Sequence, residues 1–157
     1  MSDVKIIECD FNNKLHTRAL VLLINHYISD KMGSSVPLND DKESALIEGL
    51  KNHPSRLILL AVSEGTYAGL IVSFINFATF TAKPFINIHD IVVLDKYRNQ
   101  GIGRKLLEEI HRLASELNCS KLTLEVREDN LSAQHLYKSM GYIECKPLMY
   151  FWEKTLQ

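Results

Sequence analysis

A chain of 157 residues that alternates strand-like and helix-like runs predicts a single α/β domain over residues 1–157. Three observations point there. An apolar run from Phe85 to Leu94 leads through Tyr97-Arg98-Asn99-Gln100-Gly101-Ile102-Gly103-Arg104-Lys105-Leu106-Leu107 into an amphipathic run ending at Leu117, in the order strand, glycine loop, helix. Two β-rich runs, Arg56 to Ser63 and Thr66 to Phe77, flank Glu64-Gly65, a hairpin signal that predicts antiparallel pairing. A hydrophobic content of 46% with 24% charged residues is enough apolar material for one core and calls for no second domain.

Charge and cysteine usage exclude several classes. A net charge of −1 gives no basic footprint for nucleic acid, and no apolar run approaches the ~20 residues of a membrane span. Met1-Ser2-Asp3-Val4-Lys5 lacks the apolar core of a secretory signal, and Cys9, Cys119 and Cys145 are single and far apart. The expectation is a cytoplasmic protein with reduced thiols and with neither nucleic-acid nor membrane partners. None of the six histidines has the paired spacing of a zinc site, so no metal is expected.

In chain order, Val4 to Cys9 reads as a first strand, and Leu15, Ala19, Leu22, Leu23, His26 and Tyr27 then recur at helical spacing. Met32 to Asn39, with Gly33, Ser34, Ser35 and Pro37, reads as a loop. Asn39 or Asp40 can cap a second helix carrying Leu46, Ile47 and Leu50, which His53-Pro54 ends. The hairpin follows, and Ala78 to Pro84 links it to the Phe85 to Leu94 strand. Past the loop, Leu106, Leu107, Ile110, Leu113, Ala114 and Leu117 form one apolar stripe, with Glu108, Glu109, Arg112 and Glu116 opposite, and Asn118 suits a helix stop. Lys121 to Arg127 alternates as a strand, Leu122, Leu124 and Val126 on one face and Thr123, Glu125 and Arg127 on the other. Asn130 can cap a helix containing Ala133, Leu136, Tyr137 and Met140, closed by Gly141. Two final strands are expected, Tyr142 to Lys146 and Leu148 to Thr155, split by Pro147.

The glycine loop carries the first chemistry. Glycines one residue apart let the main chain turn sharply and approach a ligand closely. The helix that follows offers N–H groups without intrahelical partners at the positive end of its dipole, which suits a phosphate, and Arg98, Arg104 and Lys105 add charge. A dinucleotide fingerprint would need glycine where Leu106 stands, and a Walker loop would need Gly-Lys-Ser or Gly-Lys-Thr, which is absent. Arg98 to Gly103 instead resembles the Arg/Gln-x-x-Gly-x-Gly/Ala signature of the Gcn5-related N-acetyltransferases, whose helix N-terminus holds the pyrophosphate of acetyl-coenzyme A. Leu124-Glu125-Val126-Arg127-x-x-Asn130-x-x-Ala133-x-x-Leu136-Tyr137-x-x-x-Gly141-Tyr142 resembles that family's second motif, in the same order along the chain. Together with the preceding strand they cover Phe85 to Tyr142; the first half matches only in its order of elements. Thr79-Phe80-x-x-x-Pro84-x-x-Asn87-Ile88-His89-Asp90 also looks like a subset of the family.

The resemblance implies a mixed, mostly antiparallel sheet, splayed beside the cofactor and flanked by helices, and direct acetyl transfer to the primary amine of a small molecule or peptide. An alkyl ammonium with a pKa near ~10.4 is nearly all protonated at pH 7, so a base is wanted. Glu125, His89 and Asp90 are the candidates, with a water chain as the remaining option; strand period sets His89 and Asp90 on opposite faces. By resemblance, Ile91, Val92 and Val93 supply main-chain donors, Arg98, Asn99, Gln100, Gly101, Ile102, Gly103, Arg104 and Lys105 form the pyrophosphate cradle, Asn130 contacts the pantetheine arm, and Tyr137 protonates the departing thiolate. The rival reading is a non-catalytic acyl-coenzyme A sensor or interaction module on the same scaffold. Asp40, Asp41, Glu43 and Glu48 can draw a polyamine or serve only as a solvated face, and the acceptor stays open. Tyr150-Phe151-Trp152 suits a homodimer seam as well as a core.

Overall fold

The computed structural model describes residues 3–33 and 36–156; Ser34 and Ser35 of the expected loop lie outside the described residues. It divides into two compact units, Met1–Glu125 and Val126–Gln157. The first contains β1 (Val4–Glu8), α1 (Lys14–Ser29), α2 (Asp40–Asn52), β2 (Arg56–Ser63), β3 (Thr66–Ala78), β4 (Lys83–Val93), a 3₁₀ turn at Asp95–Tyr97, α3 (Ile102–Glu116) and β5 (Leu122–Leu124). The second contains α4 (Leu131–Ser139).

The five strands form one sheet in sequence order, antiparallel from β1 to β4 and parallel between β4 and β5. Glu64 and Gly65 both have positive φ, 50° and 76°, the backbone a tight hairpin requires, so β2 and β3 pair as the sequence predicts. Residues directly opposite in the register share a face. One face carries Ile58, Leu60, Leu70, Val72 and Val92 and packs against Ala19, Leu20, Leu23 and Ile24 of α1 and Leu50 of α2. Leu57, Leu59, Ala61 and Ile71 line the opposite face, the side of α3, whose buried stripe is Ile102, Leu106, Leu107, Ile110 and Ala114. A sheet covered on both sides needs apolar residues at every position, which is why β2 reads as a continuous run without alternation.

Gly69 shows how closely α3 sits. A Cβ there would meet Leu106 Cδ1 at 3.1 Å and Ile102 Cγ2 at 3.2 Å, so a methyl group would need these side chains to give by a few tenths of an ångström. Each fully buried leucine or isoleucine in these layers contributes roughly 1.5–3 kcal/mol by leaving water, and Leu20, Leu23, Leu60, Leu70, Leu106 and Leu107 are all at 0% exposure.

Four expectations need correction. The α1 stripe is centred on Leu20, Leu23 and Ile24, leaving Leu15 and Leu22 exposed, because the helix turns a slightly different arc toward the sheet. The strand expected over Lys121 to Arg127 is only Leu122–Leu124, because β4 offers it a partner only from Ile86 to Ile88. Neither Tyr142 to Lys146 nor Leu148 to Thr155 forms a strand among the described residues. Tyr150, Phe151 and Trp152, at 77%, 73% and 86% exposed, are not core residues. Asn39 and Asn130 do cap α2 and α4, accepting from Lys42 N at 3.0 Å and Ala133 N at 3.2 Å. No helix is long and apolar enough to cross a membrane among the described residues.

Candidate active site

The site is built on a fork in the sheet. β5 pairs with β4 only at Ile86, Asn87 and Ile88, opposite Leu122, Thr123 and Leu124, and beyond Ile88 that edge of β4 has no strand beside it among the described residues. A bond from Asn87 Nδ2 to Thr123 Oγ1, 3.0 Å, ties the two strands just before they part. On its other side β4 stays paired to β3, and Leu94 N donates to Ala68 O at 2.9 Å. Antiparallel bonding alternates, so Val92 and Asp90 also turn their main-chain groups toward β3, while Ile91 and Val93 turn theirs to the open edge. Of the three predicted donor residues, two therefore face the fork and Val92 does not.

The chain then runs from this edge into α3. The 3₁₀ turn leads to Asn99 and Gly101, both left-handed with φ of 60° and 81°. Gly101 is the residue before the helix, and no side chain among the described residues caps it. An added Cβ at Gly101 would meet nothing within 4 Å, so the left-handed backbone, and not crowding from the protein, calls for glycine here. Gln100 is occupied with Lys96 O at 2.9 Å, and Lys105 N closes the first helical bond to Gly101 O at 3.0 Å. Arg104 and Lys105 are exposed on the first turn of α3. Uncapped N–H groups, a left-handed entry and exposed basic side chains together fit the pyrophosphate of a coenzyme A.

Arg98 has a different setting. Its Nε donates to Val93 O at 3.0 Å, and its Nη2 lies 2.9 Å from Asp30 Oδ2 and 3.0 Å from Asp95 Oδ1. The guanidinium holds the Asp30 carboxyl below its ordinary range, mainly through this hydrogen bond. His26 Nε2 is 3.3 Å from Asp95 Oδ1. His26, Asp30 and Asp95 are grouped closely enough to suggest a cation site, but Arg98 already supplies the cation. Asp30 carried no signal in the sequence, since its partner Arg98 lies far along the chain, whereas Asp95 stands three residues before Arg98 in the 3₁₀ turn.

The three candidate bases fall into two groups. Val72 pairs with Asp90 and Ser73 with Ile88, so His89 is the extra residue of a β-bulge. The bulge cancels the strict alternation that separates neighbours. Asp90 shares the face of Val72, Phe74 and Asn87, and the His89 ring meets that of Phe74 edge-on at 5.9 Å, so both candidates lie on the α1 side. The expectation that they take opposite faces is thereby corrected. Phe74 also contacts the His53 ring at 4.6 Å. Asp90 is half-buried, and desolvation raises its pKa while His89 opposes the shift. Glu125, the first residue past β5, is exposed.

In the second unit, Tyr137 is buried on α4, 6% exposed, with its ring 5.8 Å from that of Tyr142. Burial, followed by the nearby Tyr137, pushes the Tyr142 phenol upward. Asn130 spends its side-chain oxygen on the α4 cap. An open groove of about 980 Å³ in this unit, bordered by Ile143, Cys145 and Met149 among others, contains none of the predicted site residues.

A model of the acetyltransferase (GNAT) family matches residues 22–142. An N-alpha-acetyltransferase of Sulfurisphaera tokodaii is 31% identical over 113 residues, covering 68% of this chain and 67% of its own. The thialysine N-epsilon-acetyltransferase of Bos taurus is 35% identical over 68 residues, 43% of this chain and 39% of its own, so the match spans less than half of that relative's length. Among solved structures, an aminoglycoside acetyltransferase from an uncultured soil sample is similar at a TM-score of 0.81 and 19% identity, over 98% of this chain and 97% of that one. An aminoglycoside N-acetyltransferase in complex with CoA is similar at 0.77 and 17%, over 99% and 97%. At such identities the likeness shows the fold alone.

Proposed function

This chain belongs to the GNAT family of acetyltransferases, and from that premise we propose that it moves an acetyl group from acetyl-coenzyme A to the primary amine of a small molecule or peptide by direct attack. The observation that carries this reading is the open edge of β4 running through a left-handed glycine into an uncapped helix N-terminus. Main-chain N–H groups from Gln100 to Arg104, with the Arg104 and Lys105 side chains, would hold the pyrophosphate, the Lys105 N–H being taken by Gly101 O. Bound there, acetyl-coenzyme A supplies a thioester carbonyl for an amine to attack. The N–H groups of Ile91 and Val93 then face the thioester arm, and one of them stabilises charge on the carbonyl oxygen; such a donor is typically worth ~10²–10³ in rate.

The ammonium must lose a proton before it attacks, and Asp90, with its raised pKa, takes that role beside His89. The half-burial of Asp90, on the face it shares with His89, supports it over the exposed Glu125. Tyr137 returns a proton to the thiolate, and Asn130 turns its remaining amide toward the pantetheine; both roles come from the family motif. The match over residues 22–142 crosses the border between the two compact units, which supports one acetyltransferase domain over the chain. The cytoplasmic location expected from the sequence, the lack of nucleic-acid and membrane partners, and a homodimer through the exposed Tyr150-Phe151-Trp152 run belong to the same proposal.

Calorimetry with coenzyme A and with NAD tests the cofactor. Saturable binding of the first and none of the second is expected. The reverse would make the glycine loop a dinucleotide site and end the acetyltransferase reading.

A further inference from the structure

We propose that Arg98 is a positioning residue and not a pyrophosphate ligand: it fixes the Val93 carbonyl at the open edge of β4 and ties the end of α1 to the start of the glycine loop. The inference deepens the proposed function and rests on it for the identity of the cofactor. All three contacts of the guanidinium are internal. Nε holds Val93 O at 3.0 Å, and Nη2 bridges Asp30 Oδ2 at 2.9 Å and Asp95 Oδ1 at 3.0 Å. The Asp30 side chain is only 17% exposed, so this is not a loose surface pair.

Charge argues the same way. Two carboxylates against one guanidinium leave the group net negative before any charge on His26, and a pyrophosphate would be repelled from it. The geometry also gives the residue something to do. Val93 turns its main chain to the fork, where β5 no longer reaches, so its carbonyl has lost the partner a neighbouring strand would give. Arg98 replaces that partner from five residues downstream and thereby sets the tilt of the peptide groups on which the Ile91 and Val93 donors depend. Asp30 caps the end of α1 and opens the connection to α2, so the same guanidinium couples that segment to the cofactor loop. Only a planar group with several fixed donors makes these bonds together.

Asp30→Asn separates strut from ligand. If Arg98 braces the fork, Arg98→Ala and Asp30→Asn both lower the melting temperature. Their double variant then melts within about 1 °C of Arg98→Ala, since each removes the same connection. Both variants bind coenzyme A within about 3-fold of wild type and turn over roughly 10-fold more slowly, and Arg98→Lys, which cannot make all three bonds at once, recovers only part of the melting temperature and of turnover. If Arg98 binds phosphate, Arg98→Ala weakens coenzyme A binding at least ~10-fold while Asp30→Asn, by releasing the guanidinium, leaves it unchanged or tighter. That result, or additive melting shifts, overturns the proposal. A wild-type protein that binds no coenzyme A would defeat the functional reading alone, because the melting cycle judges the strut without any ligand.

Discussion

Asp90 is a carboxylate in a setting its type does not prefer. It sits half-buried on an apolar face beside Val72 and Phe74, and burial raises its pKa. An unfolded aspartate titrates near ~3.9, so the folded chain takes up a proton between that value and the raised one, and native stability falls as pH rises through this window. Asp90→Asn is therefore expected to melt higher than wild type at neutral pH, with the advantage disappearing below about pH 4. The same change should lower acetylation below pH 8 and recover it as rising pH deprotonates the free amine. A wild-type pH profile together with unchanged stability would remove Asp90 from the account. At Tyr137, the expectation for Phe is cofactor affinity within a few-fold and turnover lower by ~10²-fold. Single-turnover kinetics with an identified acceptor reads this, and undiminished chemistry would leave thiolate protonation to solvent. The Asn130 cap and the place of Tyr137 on α4 were legible because helix signals stand at fixed spacing around them. The His89 bulge was not, because one extra residue in a strand leaves no mark on an apolar pattern and only the register with β3 exposes it.

Elements were legible where local chemistry decides them. Asn39 and Asn130 cap helices, Glu64-Gly65 turns a hairpin, and the α3 stripe packs on the sheet because neighbours along the chain already specify those structures. The strand at Leu122–Leu124 is shorter than its alternation suggests, since strand length is set by the partner and β4 supplies one for only three residues. The C-terminal runs show the same dependence more strongly: their apolar residues read as strands, yet no pairing forms among the described residues. At the glycine loop, Gly101→Val tests whether left-handed geometry serves the ligand or only the turn. With φ at 81° the variant should lose about 1–2 kcal/mol of stability from backbone strain, while its Cβ has no atom within 4 Å outside the neighbouring residues. A Cβ directed into the cradle should nevertheless abolish measurable coenzyme A binding. A folded Gly101→Val that binds as wild type does would show that no ligand approaches this main chain.

For the whole molecule, composition chose no function, and the choice came from two motifs whose order matches the family. The acceptor was not legible, because no motif in the sequence names one, and the surface beside the candidate bases, where the His53, Phe74 and His89 rings meet, is assembled from residues distant along the chain. The names of the relatives point to different amines, from a thialysine side chain to a protein N-terminus and an aminoglycoside. Release of free thiol from acetyl-coenzyme A, followed across a panel of primary amines with mass analysis of each amine, tests the central claim most directly. The account predicts amine-dependent thiol release with a matching gain of one acetyl group on at least one acceptor. Saturable coenzyme A binding with no amine acetylated anywhere in a panel of polyamines, amino acids, peptide N-termini and aminoglycosides would contradict it and leave a binding module on an acetyltransferase scaffold.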